Sequence, residues 1–400
     1  MNTTAATPSL QQARAAFSTV LAEFADKAGE RDLNRDNPVA LVRALADTGF
    51  GRLRVPVELG GFGVDLPTLF ELLAQAGEAD SNVPQILRGH FTTVEILRHA
   101  EDRDTAAHWL RKVAAGAVFG NAQSEHSGPA FETTTRVESV DGQHLVSGTK
   151  FYSTGSLYAD YIRVAVADDE GNRWFAVVPA RHPGVAHLDD WDGIGQRLTG
   201  SGTTVFDRVP VAEHGELGRY KEDLRSLNSF VQLVHLANLT GIARSLVAET
   251  AALVRARSRT SLHALSGQAA TDPDVLGVVG RLYAHRFTAD ALLRQVSEAL
   301  EAAEAADTPD AFAQAYVDTS AAQVALVDTV LEAANLAFHA GGSSAVRERA
   351  HLDRHWRNAR TLASHNPVVY KPRVIGDFVV NGAGPVNGYD RGRASAAADN

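Results

Sequence analysis

Histidines crowd one late stretch of the chain. His351, His355 and His365 fall among Arg354, Arg357, Arg360, Lys371 and Arg373, around the run LDRHWRNARTLASHNPVVYKPR. Imidazole titrates near neutral pH when unperturbed, so a histidine facing a dry cavity can manage a proton. Asn366 precedes Pro367, and a residue before proline is pushed out of the α region. The helical pattern should therefore stop near His365 and leave its ring facing whatever lies beyond. The alternative is a solvated basic helix end that complements the helix dipole. Asn121 and Ser153 offer a different chemistry, because an amide and a hydroxyl can each donate to a developing oxyanion; both residue types also close β-turns. His90, in Arg88-Gly89-His90-Phe91, is a second candidate histidine or a satisfied helix residue. No metal site is expected: Asp353 lies two residues from both His351 and His355, a spacing that does not share a helix face.

Composition narrows the classes. There are no cysteines among the 400 residues, which excludes disulfides, thiolate metal sites and cysteine nucleophiles. A net charge of −10 argues against non-specific binding to nucleic acid or anionic membrane. The sequence shows no uninterrupted apolar run of about 18 residues and no signal-peptide pattern at its start, so a cytoplasmic protein with no membrane partner is expected. This length also exceeds one ordinary core and calls for several domains.

Three blocks must position the candidate residues. Residues 1–118 read as helical, with Ala13, Phe17, Leu21 and Phe24 on one face of the first helix. Residues 119–212 hold short strand-like runs (TTTRVESV, YIRVAVA, RWFAVVP) separated by turn signals such as Asp141-Gly142, which predicts an antiparallel β-barrel or sandwich. Residues 220–390 hold long helices: Asn228 to Ser258, Pro273 to Asp307 and Pro309 to Ala340, the last two opened by a cap residue and proline. The expected fold is α+β and multidomain: a helical domain, a β domain, then a four-helix bundle ending in a flexible tail.

Four segments, in this order, resemble the acyl-CoA dehydrogenase fold. They are Phe119 to Glu125, Gly148 to Gly155 with Tyr152 at a position where the family carries tryptophan, Asp190 to Gly202, and Phe338 to Ser343. A dehydrogenase of this family needs a late carboxylate base, yet Ala363 to Lys371 contains no acidic residue. Glu332 or Glu348 would have to serve as a displaced base. Asp353 to Arg360, His365 to Pro367 and Gly376 to Phe378 instead resemble the flavin monooxygenase branch, which includes dibenzothiophene monooxygenase and the SfnB-type sulfur-acquisition oxidoreductases.

The resemblance implies a two-component monooxygenase. A separate NAD(P)H:flavin reductase would supply FMNH2, and O2 would be the co-substrate. A C4a-(hydro)peroxyflavin would oxygenate a small organosulfur compound; an amine or amino sugar is the alternative substrate, and FAD the less favoured flavin. It further implies catalytic roles for His365, Ser153, Asn121 and His90. Flavin contacts would come from Asn121, Ser124, Tyr152, Ser153, Thr154, Trp191, His365 and the backbone of Gly341, Gly342 and Ser343. Arg259 would hold the phosphate of a neighbouring subunit's flavin, which implies a homo-oligomer, a tetramer by the habit of this fold.

Overall fold

The computed structural model describes residues 9–125, 133–219, 225–258 and 260–385. Arg259 and the C-terminal tail lie outside them. The first block folds as α1 (Leu10–Ala25), α2 (Ala28–Asn34), α3 (Val39–Thr48), α4 (Leu66–Ala79), α5 (Asn82–Arg98) and α6 (Arg103–Ala114). Ser9 and Gln12 form a reciprocal capping box on α1, and Phe17 and Leu21 bury its apolar stripe. The bundle follows as α7 (Leu227–Ala256), α8 (Pro273–Ala306), α9 (Pro309–Gly341), α10 (Asp353–His365) and α11 (Lys371–Asn381). Asp272 and Thr308 cap α8 and α9 through their side chains, with proline in each first turn.

One apolar core runs through both helical blocks, joining Phe17, Phe50, Phe70 and Phe91 to Phe230, Leu239, Leu326 and Val330. The helical blocks are thus packed as one body on this side. By length and composition α7 and α9 could cross a membrane, but the apolar window of α7 is 89% buried inside the protein, as a core helix would be.

Between the helical blocks lies a mixed sheet of β1 (Phe119–Ala122), β2 (Arg136–Val140), β3 (Gln143–Lys150), β4 (Tyr161–Ala167), β5 (Arg173–Pro179), β6 (Val185–His187), β7 (Thr204–Pro210) and β8 (Glu216–Arg219). Its order is β6-β7-β3-β2-β4-β5-β8, with β1 beside β4. Most pairings are antiparallel, as expected. Two are not: β1 runs parallel to β4, and β2 touches β4 in parallel at Arg136 and Ala167. The parallel pair arises because the β2–β3 hairpin intervenes between β1 and β4, and such a connection returns the chain in the same direction. Strand β8 lies beyond the expected end of the β block at 212 and pairs with β5.

Close backbone approaches lock the blocks together. Gly155 has a φ of 80°, and a Cβ there would sit 2.3 Å from the Ile86 carbonyl oxygen on α5. Gly241, inside α7, packs its backbone against α4, where a Cβ would lie 2.5 Å from the Ala74 carbonyl oxygen. In an open helix Gly→Ala stabilises by up to about 1 kcal/mol. At Gly241 the sign should reverse: Gly241→Ala is expected to destabilise by about 1–3 kcal/mol, since backbone cannot yield as a side chain can. A denaturant midpoint at or above the wild-type value would refute this packing.

Candidate active site

The helix that presents His365 is docked on both faces. Arg354 and His355, on α10, both bind the Glu249 carboxylate of α7, the His355 Nε2 contact being 2.9 Å. Those partners hold the Glu249 carboxyl well below its usual range despite burial. Arg357 binds Asp32 and donates to the Ile194 carbonyl at 3.0 Å. Asn358 receives the Gln196 backbone N–H at 2.6 Å and donates to Ser81 Oγ at 2.8 Å. Much of the basic character of the run is therefore spent on protein contacts rather than on solvation. The helix ends at His365, where Asn366 leaves the α region at φ −115° and ψ 102°. Asn366 is itself held by Gln232 and Gln323.

Beyond that end lies a cleft of about 680 Å³, within the range of small-molecule sites. Helix α5 forms one wall through Gln85, Arg88, Gly89, Thr92 and Ile96, residues spaced on one helical face. Gly89 is required there, because a Cβ would lie 2.7 Å from the Asn121 Cβ on β1. Asn121, Gln123, Ser124, Tyr152, Thr154, Trp191, Gln196 and Ser201 line the sheet side, and Ser364, His365 and Asn366 the bundle side. No aspartate or glutamate is among the described lining residues. Glu332 instead pairs with Arg281, and neither it nor Glu348 lines the cleft.

Several donors face this space. Gln123 Nε2 donates to Asn121 Oδ1 at 2.6 Å, which leaves the Asn121 amide N–H2 uncommitted among the described residues. Thr154, Ser201 and Thr199 chain their hydroxyls at 2.8 and 2.7 Å, with Thr199 donating to the Gln196 carbonyl. The Gln196 side-chain amide is buried and its oxygen and nitrogen both lack a partner. Ser153 is fully buried, behind the lining, and its Oγ is also unpartnered. Tyr152 adopts φ 57°, a strained region for an aromatic residue. Its ring lies 6.0 Å from that of Trp191, which donates from Nε1 to the Gly195 carbonyl.

The Arg88 guanidinium lies 3.0 Å from His365 Nε2. Arginine has no acceptor, so Nε2 must accept, and the neutral His365 ring carries its hydrogen on Nδ1. Burial, then the Arg88 cation, pushes His365 down to about 3. The ring's edge opens onto the cleft, so water there offsets part of that push; the neutral ring follows independently from the Arg88 contact. Behind it stands His235, with ring centroids 4.5 Å apart. His235 is buried, donates from Nε2 to Gln85 Oε1 at 3.1 Å, and is held well below its ordinary value by burial and then by its cationic neighbourhood.

The other candidates fall elsewhere. His90 is fully buried between α5 and β1: Nδ1 accepts from the Phe119 N–H at 3.1 Å, and Nε2 donates to the Gly51 carbonyl at 2.8 Å. With both nitrogens committed and no edge on the cleft, His90 positions β1 instead of reaching a reacting atom. Gly341 ends α9, and Gly342, at φ 57°, lies beside Arg257 rather than on the cleft. Within one chain, Gly341, Gly342 and Ser343 are not brought to His365. Glu95, His99 and Glu304 converge in a separate group. There Arg54 and Arg98 already bind Glu95, so its charge is answered without an ion. Arg88, Gln196 and His235 were missed by sequence reasoning. The spacing of Gln85, Arg88 and Thr92 on a single helix face was the available signal for Arg88.

Comparison with known proteins agrees with this architecture. Residues 7–117 match the acyl-CoA dehydrogenase N-terminal domain, and residues 233–370 the acyl-CoA dehydrogenase C-terminal domain. The chain belongs to the acyl-CoA dehydrogenase family. It is 29% identical, over 91% of its length and 93% of the relative's, to the probable FMNH2-dependent monooxygenase SfnC of Pseudomonas putida. It is 30% identical to L-evernosamine nitrososynthase of a Micromonospora strain, over 70% of this chain and 68% of that one. FMN-bound TdsC from Paenibacillus sp. A11-2, a dibenzothiophene monooxygenase, superposes with a TM-score of 0.85 at 27% identity, covering 93% of this chain and 98% of that one. The methanesulfinate monooxygenase MsuC from Pseudomonas fluorescens does so with 0.84 at 26% identity, over 93% and 97%.

The buried His90 and His235, with His365 at the cleft, set a pH response. The folded pKa of His90 is pushed down to about 4 by burial, and those of His235 and His365 are also depressed from 6.5. The unfolded chain therefore binds more protons between about pH 6.5 and 4, and stability is lost as pH falls through that window. The thermal midpoint should be level from pH 8 to 7 and drop steadily from 6.5 to 4.5. A midpoint unchanged across the lower interval would contradict neutral burial.

Proposed function

We propose that this protein is a two-component, FMNH2-dependent monooxygenase acting on a small organosulfur compound. The observation that carries the reading is the cleft at His365: it is lined by hydrogen-bond donors, and no described lining residue is a carboxylate able to abstract an α-proton. That argues against a dehydrogenase with a displaced base. Similarity to SfnC, TdsC and MsuC supports FMN and a sulfur substrate.

The residues present fit a reduced flavin. The Asn121 amide, the unpartnered Ser153 hydroxyl and the buried Gln196 amide are donors and acceptors awaiting a polar edge. The Tyr152 and Trp191 rings, set edge to face at 63°, give the sheet side an aromatic corner against which a flavin ring can pack. When bound, FMNH2 supplies two electrons with which O2 is activated for transfer of one oxygen atom. The chain itself excludes water, orients the substrate and holds a proton at His365 Nδ1. Asn121, on the lining, donates to negative charge that develops during transfer, and the Ser153 hydroxyl backs that wall from behind it.

The scheme requires a separate flavin reductase, and the NAD(P)H that would feed it supports a cytoplasmic reading. Leu276, Tyr283 and Phe287 on α8 are exposed apolar residues, the last at 67%. Together with the placement of Gly341–Ser343 away from this chain's own cleft, they support a homotetramer in which those residues and Arg259 serve a neighbouring subunit's flavin phosphate. Light scattering should give four times the chain mass, and a monodisperse monomer would remove that assignment.

Supplied with chemically reduced FMN and O2, the protein should oxygenate a sulfide, sulfone or sulfinate in preference to an amine. His365→Ala and Ser153→Ala should each cut product formation roughly 100-fold while O2 consumption continues as hydrogen peroxide release. Reduction of an electron acceptor by an acyl-CoA, with no response to FMNH2, would overturn the reading.

A further inference from the structure

A chain of net charge −10 surrounds its cleft with Arg88 and Arg163 and with no described acidic residue. Arg163 is placed over the Phe175 ring at 3.6 Å. Arg88 differs. Its one described hydrogen bond goes to a neutral imidazole, and its Nε is buried without a partner. Three of the most buried arginines elsewhere in this protein are answered by carboxylates: Arg54 by Glu95, Arg244 by Glu71 and Asp290, Arg354 by Glu249. At Arg88 burial alone acts, pushing the guanidinium down to about 10. An enclosed guanidinium without a counter-ion is costly, and its planar fork fits two oxygens of one anionic group.

Resting on the oxygenase reading above, we propose that Arg88 is the specificity-determining residue of the cleft and binds the oxyanion head of an organic sulfinate. The charge must lie close to the reacting sulfur, because Arg88 touches His365, the group assigned to the proton. A sulfinate meets that condition. Its two oxygens can face the guanidinium while its sulfur keeps a lone pair that can accept an oxygen atom. A sulfone presents similar oxygens without the charge, and a sulfonate has no sulfur lone pair left. The step balances: one atom of O2 forms a new S–O bond and gives a sulfonate. The other leaves as water with the two hydrogens of FMNH2. Two electrons come from the flavin and two from sulfur. Neighbours on the same helix face set the pocket's shape: Gln85 is committed to His235, while Thr92 and Ile96 leave a mixed wall suited to a short alkyl chain.

The test compares ethanesulfinate with diethyl sulfone, a neutral probe carrying the same two sulfonyl oxygens. Equilibrium binding to the FMN-loaded protein and turnover with FMNH2 and O2 are measured in parallel. Wild type should prefer the sulfinate in both. In Arg88→Met the sulfinate-to-sulfone ratio of affinities should fall roughly 30-fold or more, chiefly in KM when turnover is followed. Arg88→Lys, which keeps the charge without the fork, should recover part of it. Equal affinity of wild type for the two probes, or an unchanged ratio in Arg88→Met, overturns the proposal. So does a loss of FMN affinity in Arg88→Met as large as the loss for sulfinate, which would assign the guanidinium to the flavin. The binding arm does not depend on catalysis. Sulfinate preference without oxygenation would uphold the anion site and reject the oxygenase reading, and oxygenation of diethyl sulfide, whose sulfur keeps its lone pairs, without sulfinate preference would do the reverse.

Discussion

The geometry of the cleft depends on one side-chain amide. Asn358 accepts from the Gln196 N–H in the sheet domain and donates to Ser81 at the start of α5, while its own helix belongs to the bundle. Three blocks thus meet on a single buried residue with 2% exposure. Buried amides bonded on both sides are expensive to disturb, because removing one leaves partners that cannot recruit water. Arg357, one residue earlier, ties the same helix to Asp32 and to the Ile194 carbonyl. Together they fix how far the loop holding Trp191 and Gln196 stands from the helix end at His365.

Around that anchor the protein separates structural from chemical polarity. The Lys150–Glu125 pair and the Arg244 cluster are dense and internally satisfied. Burial pushes Lys150 down to about 8, while the lysine and the Thr134 and Thr135 donors hold Glu125 at about 2, so the pair stays ionic and pins β3 to the chain leaving β1. Around the cleft the pattern inverts, with the Ser153 hydroxyl, the Gln196 amide and the Arg88 Nε all left without partners. Unsatisfied buried groups are uncommon in folded proteins, and those that line or back this cavity are placed where a ligand can answer them.

Much of this was legible in the residues. Cap-proline pairs at Asp272-Pro273 and Thr308-Pro309 placed the bundle helices to within a residue, and Asn366-Pro367 placed the end of α10. Local signals suffice where a single dihedral restriction ends an element. Parallel pairing of β1 with β4 was not legible, because strand direction is set by a long connection and not by composition. The same limit governed the site. His365 could be found from its helix end, whereas the roles of His90, His235 and Arg88 depend on neighbours far away in sequence. His90 and Arg88 stand two residues apart on α5, so one turns into the core and the other towards the cavity.

Both the Ser81–Asn358 bond and the Arg88–His365 contact close loops of 277 residues. At synthesis rates of roughly 5–20 residues per second, the first partner of each pair waits about 15–55 s for the second. Until α7 is made the N-terminal helices have no bundle to cover Phe70 and Leu73, and until α10 follows Arg88 has no histidine to meet. A nascent chain therefore carries an apolar face in need of protection before it carries a binding site.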